Sequence, residues 1–357
     1  MSKIVNIFYI SQRILVLVLA ILVFLFSANV SILQYGDEVV YRKASLEQVW
    51  GVPPALSSNP EHPPFAKYLI GLWGFSPLLA GCGTIVAVWL LARRLGLDER
   101  LVALSLATDL VFARYSMFAT LEVYVALFSV LAVTAYLYRR PWLSGVLWGL
   151  AFASKFNALF PFLGFIGYLA LRNRRSVLPV LVGLVLAFVA THAVDVANGV
   201  FLHHLNSYMW LVLFHGGKNP LMGWTTLFFG APWYVYYTKF LYNGTEVVTS
   251  ISRPGEYLVM ERRLQISVAP WMGHVAWRTA LFEGIYMLLK NGVSLVPLVS
   301  MASLLVASSG WFYWYFVVAV PFIHLLTRKI YVALQLLFML LLILGSLQIY
   351  TFSILLS

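Results

Sequence analysis

The residues best suited to chemistry lie in one polar segment, where the acidic pair Asp37-Glu38 precedes the run Glu61-His62-Pro63-Pro64-Phe65-Ala66-Lys67. A carboxylate that is partly shielded from water can have its pKa raised into the range of a general base. Because adjacent side chains diverge, one acid of the pair would serve a single site directly. The alternative interpretation is a solvated acidic pair in an exposed loop.

The proline pair in this segment restrains the residues around it. It limits the backbone and favours an extended conformation at His62. Lys67 opens the next apolar run, where an ammonium group can meet a phosphate at the level of lipid headgroups. The alternative is a rigid turn followed by a lysine that snorkels to the interface.

Further ionisable residues occur within or beside apolar runs. Placing a charge in such a run costs free energy, so these residues are candidates for a functional site. Arg114 and Glu122 bracket a predicted outward turn, and Asp109 lies about one helical turn below Arg114. Asp109 and Arg114 could simply pair with each other. Lys155 in Ala153-Ser154-Lys155-Phe156-Asn157 requires a counter-charge, which a substrate phosphate or Glu122 could supply.

Two more groups are candidates for substrate binding. His203-His204, His215 and Lys218 offer imidazole and ammonium groups, but the sequence contains no HExxH motif and a single cysteine, which disfavours a metal site built from them. No cofactor is required, although a first-loop carboxylate could hold Mg²⁺ or Mn²⁺ with a substrate phosphate. The aromatic run 311–316, with Tyr313 and Tyr315, is typical of an interfacial belt or of a wall for a sugar ring or prenyl chain.

The elements that must position these residues are membrane helices. Of 357 residues, 61% are hydrophobic and 10% are charged, which excludes an ordinary soluble domain. We predict an all-α polytopic bundle forming a single membrane domain, with a first outer loop at 34–71 and a larger outer loop at 196–271. The eleven expected helices are 12–33, 72–92, 100–117, 120–138, 142–154, 157–171, 176–195, 272–290, 292–308, 311–326 and 330–354.

Within the larger outer loop, the aromatic segment 224–241 is expected to lie in the interface as a helix. Residues 245–268 are predicted to form a hairpin, because Thr245-Glu246-Val247-Val248 and the run 257–266 flank the turn signal Arg253-Pro254-Gly255-Glu256.

The distribution of positive charge predicts the orientation of the bundle. The net charge is +11, but lysine and arginine occupy short links between apolar runs, so nucleic acid is not the expected partner. Under the positive-inside rule the N-terminus and the basic links are cytoplasmic, and both polar loops are extracytoplasmic. The few soluble loops and the single cysteine fit a prokaryotic or archaeal cell membrane.

Several of these features together resemble the protein O-mannosyltransferases and related glycosyltransferases of the GT-C fold. The acidic pair followed by His62-Pro63-Pro64-x-x-Lys67 is the most specific match. The turn at Arg114 with "VYV" after Glu122, the segment "ASKFNALF" and the segment "FYWYFVVAVPF" follow in the family's order. The family's Arg segment usually has an acid where this chain has Ala119, and Glu122 lies about one turn later.

The resemblance implies a GT-C-like bundle that transfers a sugar, typically mannose, from a polyprenyl (dolichyl-type) monophosphate with inversion at the anomeric carbon. Asp37 would match the general base, with Glu38 beside it. The residues implied in holding donor phosphate or substrate are His62, Lys67, Arg114, Glu122, Lys155, His215, Lys218, Tyr313 and Tyr315. The acceptor hydroxyl could belong to a protein Ser or Thr, a glycan or a lipid.

Two other classes of function compete with this interpretation. A transporter or flippase of lipid-linked sugars would typically show internal repeats and a site at the membrane midplane, whereas here no repeat is visible and the candidate residues group at one face. A structural or assembly protein of the membrane would not require the acidic pair and the His-Pro-Pro run on the same side as Lys155.

Overall fold

The chain is mainly helical. The computed structural model describes residues 2–30, 37–216, 224, 233–242, 245–249, 258–268, 274–308, 313–326, 329–343 and 350–355. Seventeen helices lie within these ranges: α1 Ser2–Val30, α2 Glu38–Val49, α3 Phe65–Leu72, α4 Ser76–Arg94, α5 Glu99–Ala107, α6 Leu110–Tyr115, α7 Glu122–Leu137, α8 Pro141–Ser154, α9 Leu159–Arg172, α10 Val177–Ala190, α11 Ala193–Ala197, α12 Phe201–Gly216, α13 His274–Asn291, α14 Leu295–Leu304, α15 Tyr313–Phe316, α16 Val320–His324 and α17 Lys329–Ile343.

Two of the described helices are long and apolar enough to cross a bilayer: 12–29 within α1, and Ser76–Arg94, which is α4. Shorter apolar helices cover Glu122–Leu137, Phe156–Arg172 and Leu295–Ser308. The expected number of eleven spans stays a prediction.

Apolar surfaces face outward on several helices, as lipid contact requires. On α10, Val180 and Gly183 are the buried residues, whereas Leu178, Val185 and Leu186 are exposed. Apolar side chains exposed along one helix face are typical of a surface that contacts lipid or another protein. The surface of the bundle therefore supports placement in a membrane.

Close packing of α8 against α10 depends on glycine. A Cβ on Gly145 would meet the backbone of Val180, and one on Gly183 would lie 2.8 Å from the carbonyl oxygen of Trp142. Small residues at such crossings let two helix backbones approach each other. The pair holds α8 in place, and α8 leads directly to Lys155.

The expected third span is interrupted. α5 ends at Ala107, and α6 begins at Leu110 after Asp109, whose carboxylate accepts a hydrogen bond from the backbone N–H of Phe112 at 2.9 Å. This cap satisfies a helix N–H in the interior of the bundle. The expected tenth span is likewise divided into α15 and α16.

The large outer loop contributes strands as well as helix. β1 (Trp233–Tyr242), β2 (Thr245–Thr249), β3 (Leu258–Val268) and β4 (Tyr350–Leu355) form one sheet in the order β2-β1-β3-β4. All the pairings are antiparallel.

Three expectations for these segments were wrong. The interfacial helix expected at 224–241 is replaced over 233–241 by part of β1, because aromatic and β-branched residues there favour extended pairing. Within the described residues, β2 and β3 do not pair with each other as the hairpin expected at 245–268 requires, since each pairs with β1. The last helix ends at Ile343 instead of 354, and 350–355 pairs with β3.

One end of the bundle gathers the basic links. The Arg94 side chain donates to the carbonyl of Leu137 at 3.1 Å, and the Arg172 side chain donates to the carbonyl of Val293 at 3.2 Å. These bonds bring the ends of α4, α7, α9 and α13 together. We call this the basic end. The other end of α7, at Glu122, belongs to the opposite side of the bundle.

Candidate functional site

A buried ion pair occupies the end of the bundle opposite the basic end. The Lys155 ammonium lies 2.6 Å from a carboxylate oxygen of Glu122, and the two side chains are 5% and 0% exposed. Glu122 is the first residue of α7, and Lys155 follows the last residue of α8. A short turn after α7 makes these helices antiparallel neighbours, which places the two charges at the same end.

Aromatic rings enclose the Lys155 ammonium. It donates a hydrogen bond to the Tyr41 hydroxyl at 3.1 Å. It also lies 5.4 Å from the centre of the Tyr41 ring and 5.2 Å from that of Tyr315. A desolvated cation over aromatic faces is stabilised by their quadrupoles. The first loop and the aromatic segment 313–316 thus meet at one cation.

Asp37 joins this cluster from the start of α2. Its carbonyl accepts a hydrogen bond from the N–H of Tyr41 at 3.1 Å, which is helical i to i+4 geometry. Residues so spaced share a helix face, so Asp37 and Tyr41 point to the same side. The Asp37 carboxylate is close enough to Glu122 and Tyr315 for its charge to act on both.

Glu38 points elsewhere. Its carboxylate binds the Arg42 side chain at 2.7 Å and accepts from the Ala119 N–H at 3.4 Å. The acidic pair therefore diverges, and Asp37 is the acid whose charge acts on the buried pair.

His62 and Lys67 shape the interior of the first loop. The His62 ring packs edge-on against Tyr41, with ring centres 5.6 Å apart. The Lys67 ammonium is fully buried and donates to the backbone carbonyls of Asn59 and His62 at 2.5 and 2.7 Å. Lys67 thus fastens the His-Pro-Pro turn, and its expected contact with a phosphate stays a prediction.

Burial determines the ionisation of Lys67. Desolvation lowers the pKa of its ammonium from 10.5 to about 7, against the opposing charges of Glu61, Asp195 and Glu47. An ammonium this deep loses hydration that two carbonyl oxygens restore only in part. The loop is therefore closed by a cation that can lose its proton near neutral pH.

A second carboxylate, Asp195, which the sequence did not single out, contacts the same loop from another part of the chain. Asp195 accepts from the backbone N–H of Ala55 at 2.9 Å and from Nδ1 of His204 at 2.6 Å, and both side chains are fully buried. Desolvation lowers the pKa of His204 to about 4. The sequence singled out His204, but nothing in it indicated a contact between Asp195 and a residue 140 positions away.

Arg114 and Asp109 do not pair with each other, as the sequence had allowed. Arg114 donates to the carbonyl of Ala28 at 3.3 Å and stacks on Phe118 at 4.7 Å. The Asp109 carboxylate instead binds the Trp277 indole N–H and the His324 ring, each at 3.0 Å. Asp109 therefore links α6, α13 and α16 inside the bundle.

The structure leaves the placement of several expected residues open. Lys218 and the side chains of His215 and Tyr313 lie outside the described residues. Among the side chains that the structure does describe, no group of three His, Cys, Asp or Glu residues could hold a metal ion.

Comparisons with known proteins give one structural likeness. No family model matches the chain, and no curated protein matches it. Among solved structures, it is similar to an oligosaccharyltransferase of Archaeoglobus fulgidus, crystallised with a tethered acceptor peptide containing the NVT sequon. The identity is 15%, the TM-score is 0.44, and the match covers 94% of this chain and 54% of that one. This chain thus spans about half the length of that enzyme, and its function is inferred from its own site residues.

Proposed function

We propose that the chain is a membrane glycosyltransferase of the GT-C type that moves a sugar from a polyprenyl monophosphate to an acceptor hydroxyl. The sugar that we expect is mannose. The observation that carries the proposal is the buried Lys155–Glu122 pair, enclosed by Tyr41 and Tyr315, with the charge of Asp37 acting on it.

The chemistry requires a base and a stabilised leaving group. Asp37 takes the proton of the acceptor hydroxyl as its oxygen attacks the anomeric carbon, and the lipid phosphate departs with the bonding electrons. Lys155 gives two hydrogen bonds, to Glu122 and Tyr41, and its third N–H has no acceptor among the described residues and would meet a phosphate oxygen. Arg114, partly exposed, supplies a second cation. Such preplaced groups act most strongly where charge develops in the transition state.

The position of the site suits an amphipathic donor. A polyprenyl phosphate keeps its chain in the bilayer and its reacting carbon at the headgroup level. Asp37 lies at the start of α2, in the polar loop between the two candidate spans. The aromatic rings of Tyr41 and Tyr315 would present apolar walls to the sugar. In this scheme Lys155 and Arg114 donate hydrogen bonds to the phosphate oxygens, and no step is assigned to a divalent cation.

The test compares the two adjacent acids. We expect Asp37→Asn to lower sugar transfer by about 10²–10⁴-fold, the usual worth of general-base assistance. Glu38→Gln, which leaves Asp37 in place, should retain most activity. The purified full chain would be given radiolabelled polyprenyl-phosphate mannose and glucose with peptide, glycan and lipid acceptors. Undiminished turnover by Asp37→Asn would refute the assignment.

A second arm separates the enzyme from a flippase. In sealed vesicles, a flippase would move the labelled lipid between leaflets without releasing polyprenyl phosphate. The proposed enzyme would release polyprenyl phosphate in step with acceptor labelling. Leaflet exchange that occurs without acceptor labelling, and that survives Asp37→Asn, would overturn the proposed function.

A further inference from the structure

A cavity of about 840 Å³ opens at the basic end of the bundle, away from the Lys155–Glu122 pair. Its walls come from the ends of α7, α9 and α16, from α13, from the links before α5 and α14, and from the first turn of α14. Leucines make up much of this lining, including Leu137 and Leu325. The volume is that of a small-molecule site, and the lining suits hydrocarbon.

One side of this cavity is built for an anion. The Arg172 side chain lines it and uses its Nε–H on the carbonyl of Val293. The guanidinium Nη groups have no acceptor among the described residues. Guanidinium forks bind phosphate oxygens through paired, charge-assisted hydrogen bonds.

The start of α14 adds neutral donors beside Arg172. Ser294, at its N-cap, forms no capping bond, and its buried Oγ has no partner within the described part of the chain. Ser294, Leu295 and Val296 all line the cavity. A helix N-terminus attracts negative charge through its unsatisfied N–H groups and its dipole.

The positions of the other charged residues favour an anion on the Arg172 side of the cavity. Lys290 lies over the ring of Tyr286, a lining residue, and adds a second cation near the rim. The lining also contains Glu283, which has an interaction of its own. Glu283 and Asn291 lie eight residues apart on α13, which places the carboxylate about 12 Å along the helix from the Arg172 side.

We propose that this cavity binds an anionic phospholipid from the leaflet at the basic end, with its phosphate between Arg172 and the start of α14. The glycerol and the upper acyl chains would lie along the leucine-lined wall. By the positive-inside rule this leaflet is cytoplasmic, where basic pockets between helices recognise lipid headgroups. The site is separate from the proposed glycosyl-transfer site and does not depend on it.

The test measures lipid binding to the full chain in detergent, by native mass spectrometry and by the shift in Tm. The probes are phosphatidylglycerol, phosphatidylcholine with the same chains, and inorganic phosphate. We expect phosphatidylglycerol to bind about ten-fold more tightly than phosphatidylcholine, because the choline ammonium cancels the negative charge that the phosphate presents to Arg172. Inorganic phosphate at the same concentration should leave Tm unchanged, because it cannot fill the apolar wall.

Two variants locate the site, and one serves as a control. Arg172→Gln should abolish the preference for phosphatidylglycerol, whereas Arg175→Gln, the same charge change on an exposed neighbour, should keep it. Met287→Trp fills the cavity and should reduce binding of both lipids with Arg172 intact. Equal affinity for the two lipids, a preference that survives Arg172→Gln, or unchanged binding by Met287→Trp would each overturn the proposal. Stabilisation by inorganic phosphate alone would show a simple anion site instead of a lipid site.

Discussion

Replacement of Lys155 by Met separates the structural and chemical contributions of the buried pair. The change leaves the Glu122 carboxylate, which is 0% exposed, without its cation at 2.6 Å. Removing one partner of a buried pair typically costs about 3–5 kcal/mol, because the remaining charge is neither hydrated nor paired. The Tyr41 hydroxyl also loses its lysine donor. We therefore expect a stability loss of about 4 kcal/mol.

The double variant Lys155→Met/Glu122→Gln controls for this loss. It removes both charges and keeps the side-chain volumes close to the original. Part of the lost stability should return, because a buried amide without a partner costs less free energy than a buried carboxylate without its cation. Sugar transfer should not return, because the phosphate still lacks its cation. Unfolding in detergent and initial transfer rates at varied donor concentration would measure the two quantities on the same samples.

The stability and activity of the two variants distinguish a catalytic role of Lys155 from a purely structural one. If Lys155 binds the donor phosphate, the double variant is stable and inactive. A stable double variant with full transfer activity would refute the reasoning. So would a Lys155→Met variant as stable as the wild type, because the pair would then not be buried as described.

Three further predictions concern the loop and the bundle. The pKa of Lys67 is about 7 in the folded chain and 10.5 in the unfolded chain, so between these pH values the unfolded chain binds more protons. The free energy of unfolding should therefore rise as pH increases from 7 to 10.5. Lys67→Met should remove this rise when unfolding is measured across that pH range. Gly145→Ala should lower stability by about 1–3 kcal/mol through overpacking against α10, whereas Gly96→Asn, at an open turn with φ +72°, should change the melting temperature little. Asp195→Ala leaves the Ala55 N–H and His204 unsatisfied and should expose the first loop to protease more than Asp195→Asn, which keeps one acceptor.

The sequence predicted the local elements better than their pairing. Apolar runs between basic links indicated α4 and the helices from α7 to α10 with errors at their ends, but they gave α5 and α6 as one uninterrupted helix. The segment 233–242 was misassigned because aromatic residues suit either an interfacial helix or a strand, and its partners are the distant β2 and β3. Similarly, Tyr350–Leu355 reads as a continuation of an apolar helix until its pairing with β3 is known.

In the site, too, contacts between neighbouring helices could be predicted from the sequence, whereas contacts between distant segments could not. Glu122 was one of two counter-charges expected for Lys155, the other being a substrate phosphate, and the turn near Arg139-Arg140 brings Glu122 to the same end of the bundle. The backbone contacts of Lys67 could not be predicted, because a lysine at the start of an apolar run usually snorkels, whereas here the His-Pro-Pro turn folds back over its ammonium. Asp195 was missed because its contact with Ala55 depends on tertiary structure.

The placement of charge links the two proposals. α7 has 16 residues, so its ends are about 24 Å apart, close to the thickness of a bilayer core. At one end the cation of Lys155 is neutralised by Glu122 and enclosed by aromatic rings, and within the described part of the chain one of its N–H groups is left for a ligand. At the other, Arg172 is open and lies beside further arginines. A buried, paired cation has a fixed geometry suited to a reacting phosphate, whereas an open arginine beside an apolar wall suits a resident lipid. The same chemical group, a phosphate on a hydrocarbon chain, is therefore expected at both ends, with chemistry at one and anchoring at the other.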